Sequence, residues 1–211
     1  MNIKLIDNFL NNADLVDLQA LDLKKIKDNE IKVYHNAINT ELKILSNEVL
    51  SEKFITKLHE NYHNKAINIL NELCPEKVKL YEYSEFHIIE TGLNYKFPIH
   101  DDIPDKLLSG VIYISPEKNT GTLFYENKKG DGKQEIEWKK NRAVFFSRKE
   151  RKSWHSYQGD GKSNRLALVY NLMTTRNRLK EVYKIEKKNY LIGMLRYKLN
   201  PYIFRYLRFL I

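Results

Sequence analysis

The pattern of hydrophobic and polar positions changes once along the chain, near Val78. Before that residue the apolar positions recur mostly at helical spacing; after it they alternate with polar residues, as in strands. Gly130-Asp131-Gly132 and Gly159-Asp160-Gly161 lie between the later segments, where tight turns are expected. The pattern predicts a layer of helices packed against one face of a sheet.

The N-terminal part, residues 1–77, is expected to start with a strand and continue as helices. The predicted elements are a strand at residues 3–10 and helices at residues 12–27, 41–50 and 51–74. Asn12 or Asp14 can cap the first helix, and Ser51 is a candidate N-cap for the third. Pro75 has no backbone N–H, so the third helix is predicted to end before it.

The segment after Val78 carries the strand pattern. Strands are predicted at residues 79–90, 96–102, 110–115, 121–126, 133–139, 142–147, 153–158 and 165–172. Short strands separated by regular turn signals favour a sandwich or barrel. From Thr174 the spacing becomes helical again, which predicts helices at residues 176–199 and 201–211, with Asn200-Pro201 opening the second.

Length and composition favour one globular domain. The chain has 211 residues, of which 42% are hydrophobic and 12% aromatic. A single cysteine, Cys74, excludes a disulfide framework and favours a reducing compartment. The sequence shows neither a signal-peptide pattern nor an apolar run of membrane-spanning length. We therefore expect a cytoplasmic protein, with peripheral membrane contact as a second option.

The positive charge is concentrated in the C-terminal tail, residues 174–211. The net charge is +9, and the tail holds ten Lys and Arg against two Glu, so the rest of the chain is nearly neutral. One interpretation is that the tail helices pack on the barrel or form a homodimer. Their apolar side chains would then be buried, among them Leu191, Ile192, Leu195, Ile203, Phe204 and Leu207. The other is an interfacial helix that contacts an anionic membrane.

Four spaced residues carry the candidate chemistry. Side chains alternate on an extended strand, so His100 and Asp102 point the same way while Asp101 points away. His155 follows 55 residues after His100, and Arg165 ten residues after that. Two imidazoles and a carboxylate on one side of a metal form the facial triad of non-haem iron sites.

This order of residues resembles the iron(II)- and 2-oxoglutarate-dependent oxygenases, and within them the prolyl-4-hydroxylase-like group. The similar region covers about Val78 to Met173. The resemblance implies a single oxygenase domain, residues 1–211, that is mainly β with flanking helices. Residues 78–173 would form a double-stranded β-helix, the cupin-like jelly roll, supported by residues 1–77 and followed by the tail.

The resemblance also implies a function. The protein would be a dioxygenase that hydroxylates a small-molecule, sugar-derived or peptidyl substrate and releases succinate and CO2. His100, Asp102 and His155 would be both catalytic residues and ligands of Fe(II). The other cofactors would be 2-oxoglutarate and O2, with ascorbate as a further candidate.

Arg165 would hold the far carboxylate of 2-oxoglutarate. It opens a strand that is otherwise small and apolar, where a guanidinium is costly to bury unless it meets an anion. Further candidates for binding this co-substrate are Tyr113, His87 and Tyr83, each of which is also a reasonable core residue.

The sequence departs from the group's pattern before the metal pair. Gly92 and Tyr95 keep the expected spacing, but Ile89 stands where the group often has a tyrosine. Two extra residues separate Tyr95 from His100. These departures concern the substrate entrance, so proline is not implied as the substrate.

Three other functions compete with this one. His59 to His63 match the HExxH pattern of zinc sites, but polar flanks predict two surface histidines instead. A nucleic-acid demethylase of the same superfamily would carry a second arginine where this chain has Asn171, so nucleic acid is disfavoured as a partner. A jelly roll that binds a sugar or a partner without catalysis would not need iron.

Overall fold

The structure is a computed structural model that describes residues 2–199. Its strands, in chain order, are β1 (Ile3–Ile6), β2 (Ile31–Tyr34), β3 (Asn36–Asn39), β4 (Ile44–Asn47), β5 (Tyr83–Thr91), β6 (Lys96–His100), β7 (Lys106–Ser115), β8 (Thr122–Tyr125), β9 (Gln134–Ile136), β10 (Ala143–Phe146), β11 (Trp154–Gln158) and β12 (Arg165–Met173). Its helices are α1 (Asn12–Gln19), α2 (Glu52–Leu73), α3 (Pro75–Val78), α4 (Leu179–Ile185) and α5 (Tyr190–Lys198), with a 3₁₀ turn at Arg176–Arg178.

The strands form two antiparallel sheets that face each other. The larger has the order β1-β10-β7-β12-β5-β3-β4, with β2 also paired to β5, and the smaller has the order β6-β11-β8-β9. The flanking helices pack mainly on the outer face of the larger sheet. This arrangement confirms the predicted jelly roll that is mainly β with flanking helices.

Strand β12 lies at the centre of the larger sheet, between β5 and β7. Its residues alternate as the sequence pattern predicts. Leu166, Leu168 and Tyr170 join the core cluster that includes the buried face of α2. The opposite face of β12, which begins with Arg165, lines the interior between the two sheets.

Helix α2 supplies most of the supporting layer. The Ser51 side chain accepts a hydrogen bond from the Phe54 N–H at 3.2 Å and caps the helix as predicted. Its buried positions recur at helical spacing and include Leu58, Tyr62, Ala66, Ile69 and Leu70.

Two of the predicted N-terminal helices differ from the structure. Helix α1 ends at Gln19 rather than near Lys27, and the helix expected at residues 41–50 is wrong because that region forms the hairpin of β3 and β4. The Asn39 side chain accepts hydrogen bonds from the backbone N–H groups of Glu41 and Lys43. Leu42 has φ +59°. These local contacts form a tight turn where a helix would need continuous backbone bonds.

The tail is helical, but it is broken. The single helix expected at residues 176–199 is divided into α4 and α5 by a turn in which Lys187 has φ +55°. Leu191 and Leu195 are exposed, so α5 does not bury them on the barrel as the packing interpretation expects. The helix predicted at residues 201–211 lies outside the described residues. No helix within residues 2–199 is long and apolar enough to span a membrane.

Candidate active site

Two paired strands of the smaller sheet bring the candidate ligands together. His100 ends β6 and lies directly opposite His155 of β11, so both imidazoles point to the same side and their ring centres are 4.1 Å apart. Asp102 follows two residues after His100. Ligand atoms of His100, Asp102 and His155 all lie within 4.8 Å of one another, the one such group found in residues 2–199.

Backbone carbonyls fix the orientation of both imidazoles. His100 Nδ1 lies 3.0 Å from the Pro98 carbonyl oxygen, and His155 Nδ1 lies 2.8 Å from that of Ser153. A carbonyl can only accept, so each Nδ1 carries the proton and each Nε2 keeps its lone pair for a metal. Burial and the nearby His155 lower the pKa of His100 to about 3, which keeps its ring neutral at pH 7.

The Asp102 carboxylate is held by two donors. Ser109 Oγ donates to Oδ2 at 2.6 Å and Lys106 Nζ donates to Oδ1 at 2.7 Å. Burial alone would raise the pKa of Asp102, but nearby positive charge, above all the Lys106 ammonium, outweighs it and holds this pKa below its usual range. Each oxygen has a second lone pair for a metal. Two histidines and an ionised aspartate are the donor set that suits Fe(II).

Arg165 is buried near this group and forms no ion pair with any residue in the range 2–199. Its guanidinium lies between the rings of Trp138 and Tyr157, 4.9 and 4.6 Å from their centres. Its Nε and Nη1 have no hydrogen-bond partner among the described residues. Burial accordingly lowers the pKa of Arg165. A buried guanidinium with free N–H groups is suited to binding a carboxylate.

One cavity connects the metal-ligand group to Arg165. Its volume is about 180 Å³, and His100, Asp102, His155 and Arg165 all line it. The remaining wall is largely apolar and includes Ile31, Val33, Ile89, Phe97, Val111, Phe146, Ala167 and Val169. The metal-ligand group and the guanidinium therefore face one shared space, and the apolar side chains around it limit the access of water.

The other predicted co-substrate residues lie around this cavity, outside its lining. Tyr113 is fully buried, exchanges hydrogen bonds with Thr122, and stacks on Trp138 at 4.2 Å. Through Trp138 it supports the ring against which Arg165 packs. Its predicted direct contact with 2-oxoglutarate stays a prediction.

His87 and Tyr83 lie farther along β5. His87 Nε2 is 3.4 Å from both His35 Nδ1 and Glu85 Oε2. Burial, His35 and Lys106 lower the pKa of His87 to about 3. Tyr83 pairs with Met173 at the end of β12 remote from Arg165. Their proposed role in holding the co-substrate stays a prediction.

The HExxH histidines differ from the surface pair expected from their flanks. His59 is 6% exposed and stacks on His63 at 4.5 Å, and His63 in turn contacts the ring of Tyr81. Burial lowers the pKa of His59 to about 4. The pair therefore packs within the helical layer, and burial lowers the pKa of His63 as well.

Several residues of the site were missed by the sequence reasoning. Ile31 and Val33 of β2 form one wall of the cavity, and their alternation with polar neighbours was the available signal. Lys106 and Ser109 of β7, which hold Asp102, carry no motif of their own.

Comparison with solved structures identifies the fold. An oxidoreductase of the 2OG-Fe(II) oxygenase family from Burkholderia pseudomallei superimposes with a TM-score of 0.57 and 13% identity, covering 81% of this chain and 84% of that one. A Pseudomonas putida prolyl-4-hydroxylase gives 0.51 and 16%, covering 82% and 92%. HygX from Streptomyces hygroscopicus, with nickel and 2-oxoglutarate bound, gives 0.53 and 8%, covering 82% and 83%. The chain therefore has the fold of the 2-oxoglutarate- and Fe(II)-dependent oxygenases.

Sequence comparison adds little. No protein-family profile matches the chain. The GTPase activating protein BUD2 of Candida albicans is 28% identical over 130 residues, which make up 57% of this chain and 9% of that protein. The chain thus spans a small fraction of that relative's length, and the match does not define a family.

Proposed function

We propose that this protein is an Fe(II)- and 2-oxoglutarate-dependent dioxygenase that hydroxylates its substrate. One observation carries the proposal: a buried arginine with unpartnered N–H groups shares a small cavity with a His-Asp-His donor set. The nickel and 2-oxoglutarate bound to the similar HygX fold support it.

The residues of this chain would have distinct roles. His100, Asp102 and His155 would hold the metal, and Arg165 would bind the far carboxylate of 2-oxoglutarate through its guanidinium. When bound, iron and 2-oxoglutarate supply the oxidising chemistry, with succinate and CO2 as by-products. Ser109 and the backbone carbonyls fix the ligand side chains before the metal arrives, so binding requires little rearrangement.

Anaerobic titration with Fe(II) and 2-oxoglutarate tests the proposal. We expect the weak visible charge-transfer band of a chelated 2-oxoglutarate to appear with wild-type protein. Asp102→Ala should abolish the band because it removes the anionic ligand. Asp17→Ala, which removes an exposed carboxylate on α1, should leave it unchanged.

Two outcomes would contradict the proposal. If the wild type shows no band, the jelly roll is better explained as a non-catalytic binding protein. If both aspartate variants keep the band, the metal lies elsewhere. A positive result would justify a screen for succinate release with candidate substrates, which include sugar derivatives, small molecules and peptides.

Contact of the tail with a membrane or with a second copy stays a prediction. It is supported by the exposed apolar side chains of Leu191, Leu195 and Leu199, which recur every four residues along the end of the described chain. Co-sedimentation with anionic liposomes and measurement of the mass in solution would separate the two partners.

A further inference from the structure

A second, larger cavity opens on the other side of the metal-ligand group. Its volume is about 400 Å³, and His100 and Asp102 line it together with Trp154, Tyr197 and Arg151. Helix α5 forms one wall through Gly193, where an added Cβ would lie 2.1 Å from the Tyr183 ring. The metal position therefore has two neighbouring spaces: the inner one with Arg165 and this outer one.

The outer cavity carries cations without anionic partners. Lys128 and Arg151 line it, and neither side chain forms an ion pair with any residue in the described range 2–199. An adjoining depression shares these two residues and adds Lys129, Lys152 and Lys188, which also lack ion pairs there. Its one carboxylate, Asp131, accepts a hydrogen bond from the Asn127 side chain at 2.7 Å. Across the two spaces, lysine and arginine side chains outnumber aspartate and glutamate.

The acidic groups of the outer cavity are already engaged. Glu150 pairs with Arg196 at 3.3 Å. Asp101, the residue between the two metal ligands, accepts hydrogen bonds from the Arg151 N–H at 2.6 Å and from the Ser153 hydroxyl. These contacts leave the cations at Lys128 and Arg151 uncompensated, so the cavity favours an anion.

The Asp101 contacts also fix the basic loop at the metal strand. Arg151 has φ +58°, a left-handed conformation that is unfavourable for a side chain of this size. Its backbone is held there by the carboxylate that directly follows His100. Strained residues of this kind are common at ligand-binding positions, where the surrounding contacts maintain them.

We propose that the outer cavity binds the primary substrate and that this substrate is a phosphate-bearing molecule. The inference rests on the proposed function. Lys128 and Arg151 contact the phosphate, while Trp154 and Tyr197 offer aromatic surface to the rest of the molecule. Phosphate is favoured over a single carboxylate because several uncompensated cations line the adjoining surfaces.

Calorimetric titration of metal-free protein with inorganic pyrophosphate tests the inference independently of turnover. We expect the wild type to bind and the double variant Lys128→Gln/Arg151→Gln to bind about tenfold more weakly or worse. Lys43→Gln/Lys53→Gln removes the same charge from exposed positions that line neither cavity, and it should bind as the wild type does. Absence of wild-type binding, or equal weakening in both double variants, would overturn the inference.

The titration with Fe(II) and 2-oxoglutarate separates this result from the proposed function. A charge-transfer band without pyrophosphate binding would refute the phosphate substrate alone. Pyrophosphate binding without the band would refute the proposed enzymatic function, and with it the proposal that the bound molecule is the substrate.

Vesicles of phosphatidylcholine containing phosphatidylglycerol identify the source of the phosphate. If Lys128→Gln/Arg151→Gln weakens vesicle binding together with pyrophosphate binding, the phosphate belongs to a lipid headgroup. If only pyrophosphate binding weakens, it belongs to a soluble molecule. Both results support a phosphate site in the cavity.

Discussion

Arg148 and Arg165 are each 3% exposed, yet the regions around them differ in what they offer a guanidinium. Arg148 lies where the barrel meets the C-terminal helices, and its Nη1 donates to Glu186 Oε2 at 2.7 Å. Its Nε donates to the backbone oxygen of Asp102 at 3.2 Å. Burial would lower the pKa of Arg148, but Glu186 and Asp101 outweigh it and raise this pKa. Arg165 lies inside the barrel, where burial lowers its pKa without opposition from a carboxylate bonded to it.

Arg148 is therefore a structural cation, whereas Arg165 is the one proposed to bind a ligand. Glu186 also accepts hydrogen bonds from Lys77 at 2.8 Å and from the Glu150 N–H at 3.0 Å, so the charge of Arg148 is balanced within the fold. Arg165, by contrast, forms no ion pair within residues 2–199, and its Nε and Nη1 have no hydrogen-bond partner there. An arginine cannot lose its proton at neutral pH, so a buried one without a partner indicates an anionic ligand.

Removing Arg148 should have the largest effect on stability. Arg148→Met leaves the buried Glu186 with one cation instead of two and removes the bond to the Asp102 backbone, so we expect a loss of about 3 kcal/mol in the free energy of unfolding. Urea unfolding measures this value. Arg142→Met is the control: Arg142 is part-buried but pairs with the exposed Asp7, and its loss should cost about 1 kcal/mol or less. Equal losses in the two variants would refute the structural role of Arg148.

Removing Arg165 should weaken ligand binding without lowering stability. Arg165→Met replaces an uncompensated buried charge with an apolar side chain of similar length. We therefore expect the free energy of unfolding of the metal-free protein to be unchanged or higher. Binding of 2-oxoglutarate to the Fe(II)-loaded protein should weaken by about thirtyfold or more, equivalent to about 2 kcal/mol.

Arg165→Lys sharpens this test because it keeps the charge and loses the planar fork. Its affinity for 2-oxoglutarate should fall between those of the wild type and Arg165→Met. If Arg165→Met instead destabilises the protein as much as Arg148→Met does, then Arg165 supports the fold, and the comparison between the two arginines fails.

The sequence could predict the strands that carry these groups. Alternation along residues 165–172 places Arg165 on the inner face, and the HxD spacing places His100 and Asp102 on one side of a strand. Both are local properties of an extended chain. The pairing of His155 with His100 depends on strand register, which the sequence suggests through the family resemblance but does not determine on its own.

Other parts of the structure could not be predicted, because contacts between residues far apart in the sequence determine them. Residues 41–50 contain apolar positions that suit a helix, but Asn36, which is fully buried, accepts bonds from the N–H groups of Val49 and Leu50 and donates to the Phe86 carbonyl. These bonds attach the hairpin to β5. The same limit applies to Arg148, whose partner Glu186 lies in the tail. The sequence around a basic residue does not indicate whether an acidic residue will lie beside it in the folded protein.

His59 is also a buried basic side chain, but unlike the two arginines it can lose its proton. It has no anionic partner among the contacts of the described chain, and burial with the neighbouring His63 lowers its pKa to about 4, from an ordinary value of 6.5. Between those two pH values the unfolded chain binds more protons than the folded protein does. Stability should therefore fall as pH falls from about 6.5 to 4.

Comparing the pH profile of His59→Gln with that of the wild type tests this sign. The free energy of unfolding, measured by urea at several pH values, should decline less steeply in the variant across that range. Some slope should remain, because burial also lowers the pKa of His63 and His87. If the two profiles are parallel, the pKa of His59 is the same in the folded and unfolded protein. Burying a charge without a counter-ion would then cost little free energy here, which would contradict the reasoning applied to Arg148 and Arg165.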